Sequence, residues 1–258
     1  MRMKVYPSVD ASYSIGRHWK VYASYNSSMR LPSVTELFYN SKGYNANRNL
    51  QPEELSATEM GTTYQAVGVT AKASVYYNHM KNLIDWIVDR RASKPMLTTM
   101  NFGQINSLGA EMALGLDIYK LWPGQRLLRH FDVNYAYLHQ HQKQFDGIVS
   151  RYVLEYLKHK LTARLQLNLW RQLCLGAYYR YQWREGSYVS GYDFTTHTNL
   201  LSKYAPYSVL DSRLSWEGKS WHCYVQANNL TGHRFSDFGR LIQPGVWWMM
   251  GASFNIRL

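Results

Sequence analysis

The feature that most constrains this chain is a two-residue alternation of apolar and polar side chains that returns along its length. In the clearest stretch, Leu157, Leu161, Ala163, Leu165, Leu167 and Leu169 alternate with Lys158, Lys160, Thr162, Arg164, Gln166 and Asn168. The next stretch sets Leu173, Leu175, Ala177, Tyr179, Tyr181 and Trp183 against Cys174, Gly176, Tyr178, Arg180 and Gln182. A strand turns successive side chains to opposite faces, so each segment carries one apolar and one polar face. Eleven strands are expected, near 4–15, 19–29, 56–66, 69–86, 104–118, 127–142, 153–169, 173–185, 206–216, 220–229 and 245–257.

The connections between them alternate in length. Short ones lie at 16–18, 67–68, 119–126, 170–172 and 217–219, and long ones at 30–55, 87–103, 143–152, 186–205 and 230–244. Short turns on one side and long loops on the other describe an outer-membrane β-barrel, whose strands face lipid and lumen in turn. Many of the strands are longer than those of a soluble β-sandwich and suit a tilted membrane crossing. A sandwich also alternates apolar and polar residues, but it does not require loop lengths to segregate by side. Trp19, Trp122, Trp170, Trp216 and Trp221 sit in or beside short connections, where an interfacial aromatic girdle belongs. The expected fold class is therefore all-β, a transmembrane antiparallel β-barrel. Single-chain bacterial barrels have an even strand number, so eleven strands are expected to be part of a larger barrel.

Composition removes the competing classes. No apolar run approaches the roughly 20 residues of a membrane-spanning helix. Met1-Arg2-Met3-Lys4 leads into polar alternation without the apolar stretch of a signal peptide. Two cysteines among 258 residues exclude a disulfide-rich scaffold and a Cys-based zinc site. Cys174 and Cys223 fall on opposite faces of non-adjacent strands, and free thiols are expected. The formal net charge is +12, yet the basic residues are scattered, the longest cluster being Lys158-His159-Lys160. That is not the clustered basic, aromatic-interleaved surface of a nucleic-acid binder, and no nucleic acid is expected.

Specific residues then bring in a resemblance. Arg30-Leu31-Pro32-Ser33-Val34-Thr35-Glu36-Leu37-Phe38-Tyr39, followed by Asn47-Arg48-Asn49-Leu50-Gln51-Pro52-Glu53 and Glu59-x-Gly61, resemble the mid-barrel signature of TonB-dependent outer-membrane receptors. Arg48 stands where that family usually has Pro. Further matches follow in order: Asn82-Leu83-Ile84-Asp85-Trp86, Asn106-x-x-Gly109-x-Glu111, Asn229-Leu230 and Pro244-Gly245. The resemblance implies that residues 1–258 form the C-terminal portion of a 22-stranded receptor barrel, from about the twelfth strand onward. It implies that the plug domain, the TonB box and the N-terminal strands lie outside the chain. Leu258 ends the chain where the family commonly has Phe. The Ile-Asp-Trp segment resembles cobalamin-receptor-like members from Bacteroidetes.

The implied function is a component of a bacterial outer-membrane receptor for energised uptake of a large scarce nutrient, of the cobalamin, siderophore or haem class. The fragment alone is not expected to transport. Implied partners are outer-membrane lipid and lipopolysaccharide, the nutrient, and TonB and the plug domain of the whole protein. No cofactor is implied. The candidate ligand-binding residues are Arg30, Tyr39 and Tyr44 in the first long connection and Arg180 and Arg184 on the polar face. Lys20, Lys72, Lys158, Lys160 and Arg164 share that lumen-facing character; they either draw anionic ligands or an acidic plug, or are charges that a wet lumen tolerates. Arg90, Arg91 and Lys94 are candidates for lipopolysaccharide phosphates.

Two further features carry a structural and a functional reading. Ser33-x-x-Glu36 after Pro32 has the spacing of a capping box for one helical turn. His139 and His141 share a strand face, but two histidines without a third ligand are a weak metal site. No catalytic motif is present. An outer-membrane hydrolase using His79, Asp85 and His197 is the enzyme alternative, and a passive pore closed from eleven strands is another.

Overall fold

The computed structural model describes residues 4–89, 96–101, 103–142, 148–150, 155–193, 195, 198–237, 239 and 241–255. In chain order the elements are β1 (Ser8–Ile15), β2 (Trp19–Arg30), α1 (Val34–Phe38), β3 (Tyr44–Asn45), β4 (Glu53–Ala66), β5 (Val69–Lys81), β6 (Ile84–Asp89), β7 (Leu97–Asn101), β8 (Gln104–Asp117) and α2 (Ile118–Leu121). They continue as β9 (Leu128–Gln142), β10 (Ile148–Ser150), β11 (Tyr156–Trp170), β12 (Leu173–Glu185), β13 (Ser187–Asp193), β14 (Thr198–Lys203), β15 (Tyr207–Glu217), β16 (Trp221–Asn228) and β17 (Trp247–Phe254).

Eleven of these strands pair into one sheet, in the order β1-β2-β4-β5-β8-β9-β11-β12-β15-β16-β17. This is the number and sequence of strands expected from the alternation. Six shorter strands occupy the long connections: a four-stranded sheet ordered β10-β6-β7-β3, and the β13-β14 hairpin. The chain also divides into two compact units, one of residues 1–62, 74–110 and 138–156, the other of residues 63–73, 111–137 and 157–258.

Register fixes which residues share a face. In the second unit Leu175 lies opposite Leu214, Leu214 opposite Val225 and Val225 opposite Met250, giving an apolar row across four strands. The alternate row runs from Gly176 to Arg213 and on to Gln226. In the first unit Tyr13 pairs with Val21 and Ile15 with Trp19 on one face, while Ser12 pairs with Tyr22 and Ser14 with Lys20 on the other. The apolar rows are open: Tyr13 is 70% and Met250 82% exposed. An apolar surface of this kind marks contact with another apolar phase, and within each unit these rows keep one parity from strand to strand.

Apart from Ser215, the buried residues lie toward the long connections. Ile84, Ile87 and Thr99 are buried in the first unit, and Tyr204, Tyr207 and Val209 in the second. At the other strand ends the turns are short. Gly16 and Gly68 adopt φ of 65° and 75° there, a conformation that glycine reaches without steric cost. Trp19, Trp122, Trp170, Trp216 and Trp221, at or beside these turns, are all exposed.

The clearest departures from the expected bounds lie in three strands. The strand expected over 69–86 ends at Lys81 and resumes as β6 in a different sheet. The break is Asn82, whose φ of 53° leaves the extended region; asparagine tolerates that conformation better than most residues. The first strand begins at Ser8 and the last runs over Trp247–Phe254, both shorter than expected.

Candidate functional site

The first long connection is organised by Arg30, the last residue of β2. Its Nε and Nη2 donate to the two oxygens of Glu53 at 2.5 and 2.8 Å, and its Nη1 donates to Glu36 at 3.1 Å. Glu36 completes the expected capping box: the Ser33 amide donates to Glu36 Oε2 at 2.7 Å, and the Glu36 amide donates to Ser33 Oγ at 3.3 Å. Burial pushes the Glu36 carboxyl up, but the hydrogen bonds from Arg30 and Ser33 outweigh it and hold the group below its ordinary value. Glu53 Oε1 in turn accepts the Ile84 amide at 2.7 Å, tying β6 to the loop. The buried Thr99 hydroxyl donates to the Glu36 carbonyl at 2.9 Å and accepts the Asn47 amide at 2.8 Å. Asn101 accepts the Gln51 amide and donates to the Gln51 and Asn82 carbonyls. The residues that carried the resemblance are thus the joints of one loop assembly.

Tyr39 and Tyr44 meet edge to face at 5.7 Å between centroids, and Tyr44 meets Trp86 in the same way at 5.6 Å. Tyr39, 47% exposed, is the solvent end of this string. Arg48 lies 5.3 Å over the Phe38 ring, so its guanidinium covers that apolar face.

In the second unit the polar face of β12 carries Arg180, Gln182 and Arg184. Arg184 Nε donates to the Asp237 carbonyl at 2.8 Å. The Tyr207 hydroxyl donates to the Asp237 carboxylate at 2.9 Å and also contacts Gln182. Tyr207 stacks on Phe235 at 3.9 Å, Tyr188 packs on Tyr204 at 5.0 Å, and the Gly239 amide donates to the Tyr204 hydroxyl. These rings border a cavity of about 370 Å³, lined also by Lys203 and Arg234, with the Asp237 carboxylate held on the Tyr207 hydroxyl. Arg180 lies opposite Val209 and is exposed.

Asn229 explains two of the short motifs together. It is 3% exposed with φ of 53°, and its Nδ2 donates to the carbonyls of His233 and Pro244 at 2.8 and 3.0 Å. Its amide donates to Asp211 at 2.7 Å. The Asn-Leu and Pro-Gly pairs are the two ends of one closed loop.

The family described as TonB dependent receptor-like, beta-barrel, matches residues 2–230. This chain belongs to that family. TonB-dependent receptor barrels are proteins of the bacterial outer membrane, so the open apolar face is a lipid face, and their members are receptors and transporters rather than enzymes. The fold is similar to that of the copper transporter OprC (TM-score 0.71, 16% identity, covering 96% of this chain and 38% of that one). It is similar to the FrpB iron transporter from Neisseria meningitidis (0.70, 17%, 96% and 39%). It is similar to the siderophore receptor PirA from Pseudomonas aeruginosa (0.67, 16%, 97% and 40%). The chain spans about two fifths of the length of these receptors. Comparison with curated proteins gives no significant match.

Within this receptor barrel the expected site residues fall into separate groups. Arg30, Tyr39 and Tyr44 lie in the first unit, Arg180 and Arg184 in the second. Of the lysines expected on the lumen side, Lys158 pairs with Glu185 at 2.9 Å and lies 5.0 Å over the Trp183 ring. Arg90, Arg91, Lys94 and His197 lie outside the described residues. His79 bonds Asn106 at 2.6 Å, whereas Asp85 accepts the Trp86 amide. No metal-binding group of three ligands occurs among the described residues. The Tyr188–Tyr204–Phe235 cavity was not anticipated from sequence; the signal for it was tyrosine and basic residues recurring in the last two long connections.

Proposed function

We propose that this chain forms part of the barrel of an outer-membrane receptor for a large, scarce, anionic nutrient. In this reading residues 1–258 correspond to the C-terminal portion of the barrel, and the plug domain and TonB act with it in the whole receptor. The observation that carries the reading is the cavity of the second unit, whose lining combines Tyr188, Tyr204, Tyr207 and Phe235 with Lys203 and Arg234. Stacking rings hold a flat ligand, and cationic side chains favour negative charge. Arg180 extends the positive potential along the polar face of β12, where Arg184 is held by Asp237 at 3.7 Å, and Tyr39 and Tyr44 offer aromatic surface in the first long connection. Structural neighbours named as an iron transporter, a copper transporter and a siderophore receptor agree with a metal or metal-chelate class. Lipopolysaccharide is the lipid this barrel would meet in the outer leaflet.

The test is tryptophan fluorescence quenching of the purified protein by three probes: a ferric catecholate chelate, haemin and cyanocobalamin. The reading expects an anionic probe to bind and R234A to weaken it about tenfold, close to the loss of one charge-assisted contact. Tight binding of cyanocobalamin with neither anionic probe bound would instead support the cobalamin-receptor-like reading.

A further inference from the structure

A second polar site lies near the short connections of the second unit, and it stands independently of the nutrient cavity. Arg129 of β9, Arg164 of β11 and Arg213 of β15 line one cleft of about 200 Å³. Each arrives there for a local reason. Gln166 pairs with His130 and Leu167 with Leu128, so Arg129 is the extra residue of a β-bulge, a device that re-aims a side chain. Arg213 lies directly opposite Gly176, a position with no side chain to fill the space. The Tyr178 ring leans to within 3.0 Å of where a Cβ on Gly176 would stand. Arg164 then sits 5.5 Å from the Tyr178 centroid, and Arg213 sits 3.7 Å from that of Tyr224.

Cation–π contact holds a guanidinium by its face and leaves its N–H edge available. Arg164 and Arg213 are therefore oriented before any ligand arrives. The only carboxylate in the lining is Glu217. Three arginines thus meet one carboxylate in the lining, and no ion pair joins these arginines to a carboxylate among the described residues; Asp132, opposite Arg164, bonds His130 instead.

We propose that this cleft binds a doubly charged oxyanion, through bidentate hydrogen bonds from Arg164 and Arg213 with Arg129 closing the third side. Planar oxyanion edges match the guanidinium fork, which lysine does not reproduce. The ligand chemistry is that of a dicarboxylate or a phosphate group, and the cleft volume suits a small anion or a single anionic moiety.

The test is calorimetric titration of the full chain in detergent micelles, at fixed ionic strength, with succinate and separately with inorganic phosphate. Saturable one-to-one binding of at least one probe is expected. It should weaken tenfold or more in R164A/R213A and be unchanged in K42A. In R164K/R213K, which keeps the charge and loses the fork, it should weaken to an intermediate degree. Circular dichroism reports folding of each variant. Binding of succinate alone assigns a carboxylate source, and binding of phosphate alone a phosphate source; both support the site. Lack of saturable binding by either probe, or binding that survives R164A/R213A in folded protein, overturns it. Because R234A leaves this cleft intact, failure of nutrient binding does not alter the outcome.

Discussion

Tyr22 covers Gly61: a Cβ at position 61 would stand 2.6 Å from the Tyr22 Cζ and Oη atoms. The same tyrosine donates to Glu59 Oε1 at 2.6 Å, so one side chain reads both ends of the Glu-x-Gly motif. Tyr76 covers Gly109 and Tyr224 covers Gly251 in the same way. A ring lying over a strand glycine supplies the cross-strand packing the glycine lacks.

Replacing Gly61 with Ala should therefore evict the Tyr22 ring and break its bond to Glu59. The expected cost is about 1–3 kcal/mol, the range for overpacking a filled site. Reversible urea unfolding in micelles measures it. The double variant Y22A/G61A should recover part of the loss, because the clash is gone.

Arg30 joins two carboxylates that are only 14% and 17% exposed, while it is itself 46% exposed. Solvent screening reduces the worth of such a pair, so R30A should cost about 1–2 kcal/mol. The effect should concentrate in residues 31–52 as faster amide exchange. R30K should restore less than half of it, since a lysine cannot fork across Glu36 and Glu53.

The same loop should respond to acid. Glu36 titrates below its ordinary value when folded, while an unfolded glutamate titrates near about 4.3. The depressed group contributes stability that is complete above the unfolded value and is lost as pH falls through the folded one. Exchange at the Glu36 and Leu37 amides, corrected for intrinsic rates, should be flat from about pH 7 to about pH 5 and rise below about pH 4. In R30A the rise should begin at higher pH.

Asn229 combines a left-handed backbone with two side-chain bonds to loop carbonyls. N229A loses both advantages and should cost about 2–3 kcal/mol, opening residues 230–246 to limited proteolysis. N229G keeps the backbone and should fall between N229A and the parent.

The eleven sheet strands were legible because each buries nothing but a parity: one face apolar, the other polar. Leu157 to Leu169 can satisfy that pattern only as a strand between two unlike phases. The break at Asn82 was not legible, since Leu83, Ile84 and Trp86 continue the apolar signal across it, and only the backbone angle of Asn82 ends the strand. The capping box of Ser33 and Glu36 was readable because it is local. The cavity of Tyr188, Tyr204 and Phe235 is not local: its residues come from separate loops, and no period links them. Arg129 was hidden by its bulge, which breaks the alternation that would have assigned it a face.

The central claim, that the apolar parity faces lipid and the polar parity faces water, is tested most directly by spin labels along β11. Single cysteines at 161 to 167 in a C174S/C223S background, placed in outer-membrane vesicles, are read for access to oxygen and to a water-soluble nickel chelate. Strict alternation is predicted, with Leu161, Ala163, Leu165 and Leu167 open to oxygen and Thr162, Arg164 and Gln166 open to nickel. Equal nickel access at both parities would contradict it.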